Sequence, residues 1–183
     1  MLMPPGRWEL PASAMLEIGS GAGDSLLAAA DRWDLVIGVE VHLRGLAATL
    51  RAARESGRGN IRLARADAVD VLREQVPPLS LAEIQIWFPD PWPKAKHHKR
   101  RLIRPSVAGL LAGRLAPGGV LRLATDVPEY AAVMQQVLLA SGGLRPLGEA
   151  GVVERPPWRP VTRYEREGLA AGRTPTELAY RRE

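Results

Sequence analysis

An α/β fold, a doubly wound and mostly parallel sheet with helices on both faces, is what this 183-residue sequence predicts, and three observations predict it. Short apolar runs alternate with stretches whose apolar residues recur at helical spacing. The first run passes directly into a glycine-rich turn. Acidic residues accompany the ends of the first four runs, where open α/β sheets bind their ligands.

Residues 15–18 are short and apolar, as a strand buried on both faces should be, and Gly19, Gly21 and Gly23 break the run before residues 25–32 take up helical spacing. Residues 35–39 read as a second buried strand ending at Glu40. Residues 43–56 read as a helix with Arg44, Arg51 and Arg54 on its wetter side. The alternation continues through a strand at 61–64, a helix at 69–75, a strand at 82–88, a helix at 105–115, a strand at 120–125 and a helix at 128–140. Beyond Ser141 the rhythm weakens. Gly, Pro and Arg run through residues 142–183, which predicts a short helix and one or two edge strands rather than a second unit, so residues 1–183 are expected to form one domain.

A formal charge of +5 favours an anionic partner such as nucleic acid. The absence of cysteine excludes disulfides, thiolate metal sites and a cysteine nucleophile, and fits a reducing compartment. The start of the chain lacks an apolar run behind basic residues, and no stretch approaches the roughly 20 apolar residues of a membrane span. These features predict a cytoplasmic protein without a membrane partner.

The glycine loop with Gly19, Ser20 and Gly21 allows backbone to approach a ligand closely, or is simply a tight turn. Glu40, 21 residues beyond Gly19, is placed to accept hydrogen bonds from both hydroxyls of a ribose. That signal does not separate a nicotinamide cofactor from S-adenosylmethionine. Glu17, inside the first strand, either meets a cationic ligand or satisfies nearby backbone. Asp67 either meets an adenine amino group or caps the helix that follows.

The stretch FPDPWPKAKHHKRR, residues 88–101, carries the most information. Its prolines fix φ and withhold donors, so a stiff loop is expected to hold Asp90 and Trp92 at the end of the fourth strand. Lys94, Lys96, His97, His98, Lys99, Arg100, Arg101 and Arg104 then follow without an intervening acid, beside the ligand-binding edge. Adjacent histidines seldom converge on one ion, so no metal site is expected.

LEIGSGAG, GVEVH, ADA at 66–68, FPDPWPKAKHHKRRL, ATD at 124–126 and TRYE at 162–165 together resemble the bacterial tRNA (guanine-N7)-methyltransferase family, over nearly the whole chain. The resemblance implies a Rossmann-like class I methyltransferase fold with an antiparallel edge strand near the C-terminus. It implies S-adenosylmethionine as cofactor, tRNA as partner, and methylation of a variable-loop guanosine. It also implies that Glu17, Gly19, Ser20, Gly21, Glu40, Asp67 and Asp90 contact the cofactor, Asp90 also being the catalytic position. Lys94, Asp126, Thr162, Arg163, Tyr164 and Glu165 are implied to contact substrate, and Lys96, His97, His98, Lys99, Arg100 and Arg101 to contact RNA. The family's last motif more often reads TKFE; Arg163 and Tyr164 keep its charge and aromaticity.

Guanine N7 exposes a lone pair, so methylation there needs alignment and no prior deprotonation, and Asp90 is expected to orient rather than act as a base. Trp92 or Tyr164 is a candidate to stack on a splayed base, with core packing the alternative for the tryptophan. Two other readings share the pattern: a nicotinamide-dependent oxidoreductase, and a non-catalytic RNA-binding module.

Overall fold

The computed structural model describes residues 2–183. Eight strands make one sheet in the order β3-β2-β1-β4-β5-β8-β6, with β7 paired to β8 off that path. The strands β1 (Ala14–Ile18), β2 (Leu35–Val39), β3 (Ile61–Ala64), β4 (Leu81–Trp87) and β5 (Leu115–Thr125) are parallel, and β8 (Thr176–Arg182) lies antiparallel between β5 and β6 (Leu144–Pro146). An antiparallel strand inserted there departs from the all-parallel 3-2-1-4-5-6 order of nicotinamide-binding folds.

Alternation along each strand divides the sheet into two unlike faces. Ala14, Leu16, Ile18, Ile37, Val39, Ile84, Ile86, Leu121, Leu123, Leu178 and Tyr180 point to one side. There α4 (Pro105–Arg114) and α5 (Pro128–Leu139) cover them with Val107, Leu111, Tyr130 and Met134. On the other side Met15, Val36, Ile61 and Leu63 pack under α1 (Asp24–Ala29) and α2 (Leu43–Glu55). Under β4, β5 and β8 that same face turns polar, carrying Glu83, Gln85, Arg122 and Glu177 beneath residues 155–170. Loss of a packed side chain such as Leu16 from the apolar face would cost about 2–5 kcal/mol.

The expected helix at 69–75 is α3 (Ala68–Asp70) running into a π turn over Val71–Gln75. Arg114 reaches in to donate to the Leu72 and Arg73 carbonyls, so the chain closes on an i→i+5 bond from Val76 N to Val71 O at 3.0 Å. Strand β5 begins at Leu115, five residues before the expected start at Val120, because Gly119 lets it pass a bulge. A Cβ there would lie 2.8 Å from the Leu81 carbonyl. Residues 142–183 form β6, β7 (Val152–Val153), α6 (Arg163–Ala170) and β8, so the edge is three strands rather than one or two. No helix among the described residues is long and apolar enough to cross a membrane.

Candidate functional site

Strand order reverses between β1 and β4, and the carboxyl ends of the parallel strands meet there. Gly19, Gly21 and Gly23 take φ values of 80°, 52° and 92°, a left-handed path that side chains resist. Glycine also lets this loop press on α2: a Cβ on Gly23 would come within 2.8 Å of Thr49, and one on Gly45 within 3.0 Å of the Gly21 carbonyl. The Thr49 hydroxyl donates to that carbonyl at 2.9 Å. From the end of β2, Glu40 accepts from Gly21 N at 3.0 Å and from His42 N at 2.8 Å, so it fixes the loop while keeping further lone pairs for a ligand.

Glu17 lies on the same sheet face as Met15 and is 2% exposed. One carboxylate oxygen accepts from the Ser25 hydroxyl. The other oxygen is buried without a partner, as is the Ser20 hydroxyl. Burial pushes the Glu17 carboxyl up to about 8, against the pull of the Ser25 hydrogen bond. Two unpartnered polar atoms beside a glycine loop mark a place for a polar, positively charged ligand. Asp67 uses Oδ1 to cap α3, accepting from Val69 N at 2.8 Å. The cap that its position allowed is therefore made.

The loop after β4 is bent rather than merely extended. Phe88 (φ 51°) and Trp92 (φ 42°) both adopt left-handed backbone. Both precede proline, which normally drives a residue to extended values, and such strain costs about 1–3 kcal/mol per residue. Arg101 holds the bend. It is 3% exposed, donates from Nε to the Pro91 carbonyl at 2.8 Å, and grips both oxygens of Glu129 at 2.9 and 2.6 Å. Its guanidinium also lies 4.8 Å from the Tyr130 ring centroid. Expected among the RNA-facing cations, Arg101 is instead turned inward, because Glu129 and Pro91, distant or unremarkable in sequence, offer it a bidentate acid and a carbonyl in the fold.

Lys94, Lys96, Lys99 and Arg100 remain exposed along a 3₁₀ turn at Ala95–Arg100, with Asp90 exposed beside them. His97 and His98 are half-buried. Trp92 is half-buried rather than packed in the core: Arg100 lies 4.9 Å over its ring and His97 meets it edge-on at 5.7 Å, so it braces the basic turn.

After β5, Asp126 is bound by Arg173 at 2.7 Å. Gly168 of α6 comes so close that a Cβ would fall 2.5 Å from the Asp126 carboxylate. Thr162 caps α6, accepting from Glu165 N at 3.3 Å, while Arg163 and Tyr164 are exposed. Glu165 is buried, gripped by Arg159 at 2.7 and 2.9 Å. Arg159, Arg173, Glu129 and Glu177 are residues that sequence reasoning missed. The only local signal was Arg159 itself, set between Trp158 and Pro160 in a segment without helical or strand periodicity.

The sheet order and the acid-lined glycine loop define a class I S-adenosylmethionine-dependent methyltransferase. Residues 11–178 match a family model described as putative methyltransferase. The chain is 52% identical over 179 residues to a tRNA (guanine-N(7)-)-methyltransferase of a Nocardioides species, covering 97% of this chain and 71% of that protein. A protein of the same name from Halorhodospira halophila is 46% identical, covering 96% and 78%. The chain belongs to the bacterial tRNA (guanine-N(7)-)-methyltransferase family. Among solved structures the fold is shared with a SAM-dependent methyltransferase from Aquifex aeolicus, at TM-score 0.65 and 14% identity over 95% of this chain and 84% of that one. It is shared also with TrmN from Thermus thermophilus, at TM-score 0.67 and 22% identity over 94% and 45%. Neither the nicotinamide reading nor the non-catalytic one is favoured by these relatives.

Proposed function

We infer that the chain, acting as one domain over residues 1–183 in the cytoplasm, transfers the methyl group of S-adenosylmethionine to N7 of a guanosine in tRNA. The observation that carries this reading is the pairing of an acid-lined glycine loop, with Glu17 and Ser20 each holding an unpartnered buried oxygen, with an exposed basic turn one strand away. The donor set fits the cofactor: Glu17 suits an ammonium, Glu40 suits ribose hydroxyls, Asp67 suits an adenine amino group, and Gly19, Ser20 and Gly21 give close backbone approach. When bound, S-adenosylmethionine supplies the methyl group, its sulfur–carbon bond breaking as the N7 lone pair forms the new bond, which leaves S-adenosylhomocysteine and a cationic 7-methylguanine.

No proton leaves N7, so the residues work by placement and by stabilising the positive charge that moves onto the base. Asp90, held at the strained end of β4, serves both: it accepts hydrogen bonds from the base or cofactor and faces the developing cation. Lys94, Asp126, Thr162, Arg163 and Tyr164 close on the guanosine, with Glu165 setting their backbone from beneath. Lys96, His97, His98, Lys99 and Arg100 take RNA phosphates, and Arg101 keeps the loop in shape. Incubation with labelled S-adenosylmethionine and unmodified tRNA, followed by digestion to nucleosides, is expected to yield 7-methylguanosine. Its absence sinks the reading.

A further inference from the structure

Resting on that reading, we propose that Arg159 is a positioning residue for methyl transfer, fixing the start of α6, with Thr162, Arg163 and Tyr164, against the root of the loop that carries Asp90. Arg159 is fully buried, yet it carries a charge. It contacts three elements at once. Its guanidinium lies 5.1 Å from the Trp87 ring centroid at the end of β4 and 5.7 Å from that of Phe88, the first strained residue of the Pro-Asp-Pro loop. Both of its terminal nitrogens bind Glu165 in the first turn of α6, and one also binds Glu177 of β8.

Arg155 joins the cluster at 3.4 Å from Glu165, so two cations face two acids. A buried ionic cluster is a poor way to stabilise a fold, since apolar side chains of similar volume do as well or better. Its distinctive property is direction. A planar guanidinium presents donors along fixed lines, and here those lines join α6 to β8 while the group's central carbon lies near the Trp87 and Phe88 rings. The neighbouring Trp158 anchors the same segment elsewhere, with Arg32 at 3.8 Å and Arg122 at 5.6 Å from its ring centroid. Glu165 is thereby held with Thr162 already capping its amide, and the exposed Arg163 and Tyr164 between them are fixed relative to Asp90.

The test uses the full-length protein, S-adenosylmethionine and an unmodified tRNA transcript, with enzyme in excess so that a single turnover is followed. If the wild-type protein makes no 7-methylguanosine, the functional reading fails, and this proposal with it. With an active wild type, Arg159→Lys is expected to stay folded by circular dichroism and to bind S-adenosylhomocysteine and tRNA within about threefold of wild type. Its methylation rate should fall about a hundredfold, the loss that a misplacement near 1 Å produces. Glu177→Gln, which alters Arg159 only from the β8 side, should fall about tenfold with the same unchanged affinities. A folded Arg159→Lys protein with a near wild-type rate overturns the proposal, as does a rate loss matched by lost affinity for either ligand. Should Arg159→Lys fail to fold, Glu177→Gln decides by the same criteria.

Discussion

The two halves of the site treat charge differently. On the β1–β3 side the acids are met by backbone or a hydroxyl: Glu40 by Gly21 and His42 amides, Asp67 by its helix cap, Glu17 by Ser25 with one oxygen left over. On the β4–β8 side arginine meets the acids around Asp90, which itself stays exposed: Glu129 by Arg101, Asp126 by Arg173, and Glu165 and Glu177 by Arg159. A carboxyl group met only by neutral donors has no cation answering it already and can take an incoming one, Glu17 by giving up its proton. One held by a guanidinium has its charge answered already, and what remains is geometry. The first side leaves its acids open to a ligand, and the second uses arginines to hold the shape around Asp90.

The largest expected effect breaks the first side. Because Glu17 titrates near 8 in the folded protein and near 4.5 when unfolded, the folded state keeps its proton while the unfolded state loses it. The ligand-free protein should therefore lose stability as pH rises from 4.5 toward 8, by on the order of 4 kcal/mol, and change little from this group outside that window. Urea melts of wild type and Glu17→Gln across that range check this; equal slopes would show that Glu17 is not the source. Calorimetry in buffers of different ionisation enthalpy should also find a proton released when S-adenosylmethionine binds near pH 7, since a cation beside Glu17 favours its ionised form.

Next in size, Asp90→Ala is expected to slow single-turnover methylation about a hundredfold while S-adenosylhomocysteine affinity changes far less. Near wild-type turnover with intact cofactor binding would remove Asp90 from the chemistry. Arg101→Met tests the shape-holding side. It strands the Pro91 carbonyl and frees Glu129, so stability should drop by about 1–3 kcal/mol and turnover should fall, with little change in the salt dependence of tRNA binding. The smallest effect belongs to the exposed cations: Lys96→Ala should weaken tRNA binding uniformly across sequences and reduce the magnitude of the logarithmic salt slope by about 1. If Arg101→Met changed that slope and Lys96→Ala did not, their assigned roles would have to be exchanged.

These roles also explain what could be read from sequence. Strands β1 to β4 were legible within a residue or so because each is short, mainly apolar and largely buried on both faces, and three of them stop at punctuation: β1 at Gly19, β2 at Glu40 and β4 just before Pro89. Glu17, Glu40 and Asp90 were legible because their spacing from those strand ends is local. Residues 142–183 were not. Strands of three and two residues, β6 and β7, are too short to show a period, and β8 finds its partner β5 across about 50 residues of chain. Arg101 and Arg159 were opaque for a related reason. Each sits in an arginine-rich stretch, and only long-range partners, Glu129 for one and Glu177 for the other, distinguish them from solvated neighbours.

The left-handed bends at Phe88 and Trp92 bear on when the enzyme loses conformational freedom. A flexible loop would have to be ordered at every encounter with tRNA, at roughly 1–2 kcal/mol per residue. A loop fixed by three prolines, two unfavourable bends and one buried arginine is ordered once, when the chain folds. On the proposed reading each incoming guanosine then meets an Asp90 backbone ordered in advance, and association with the RNA is relieved of that entropy loss.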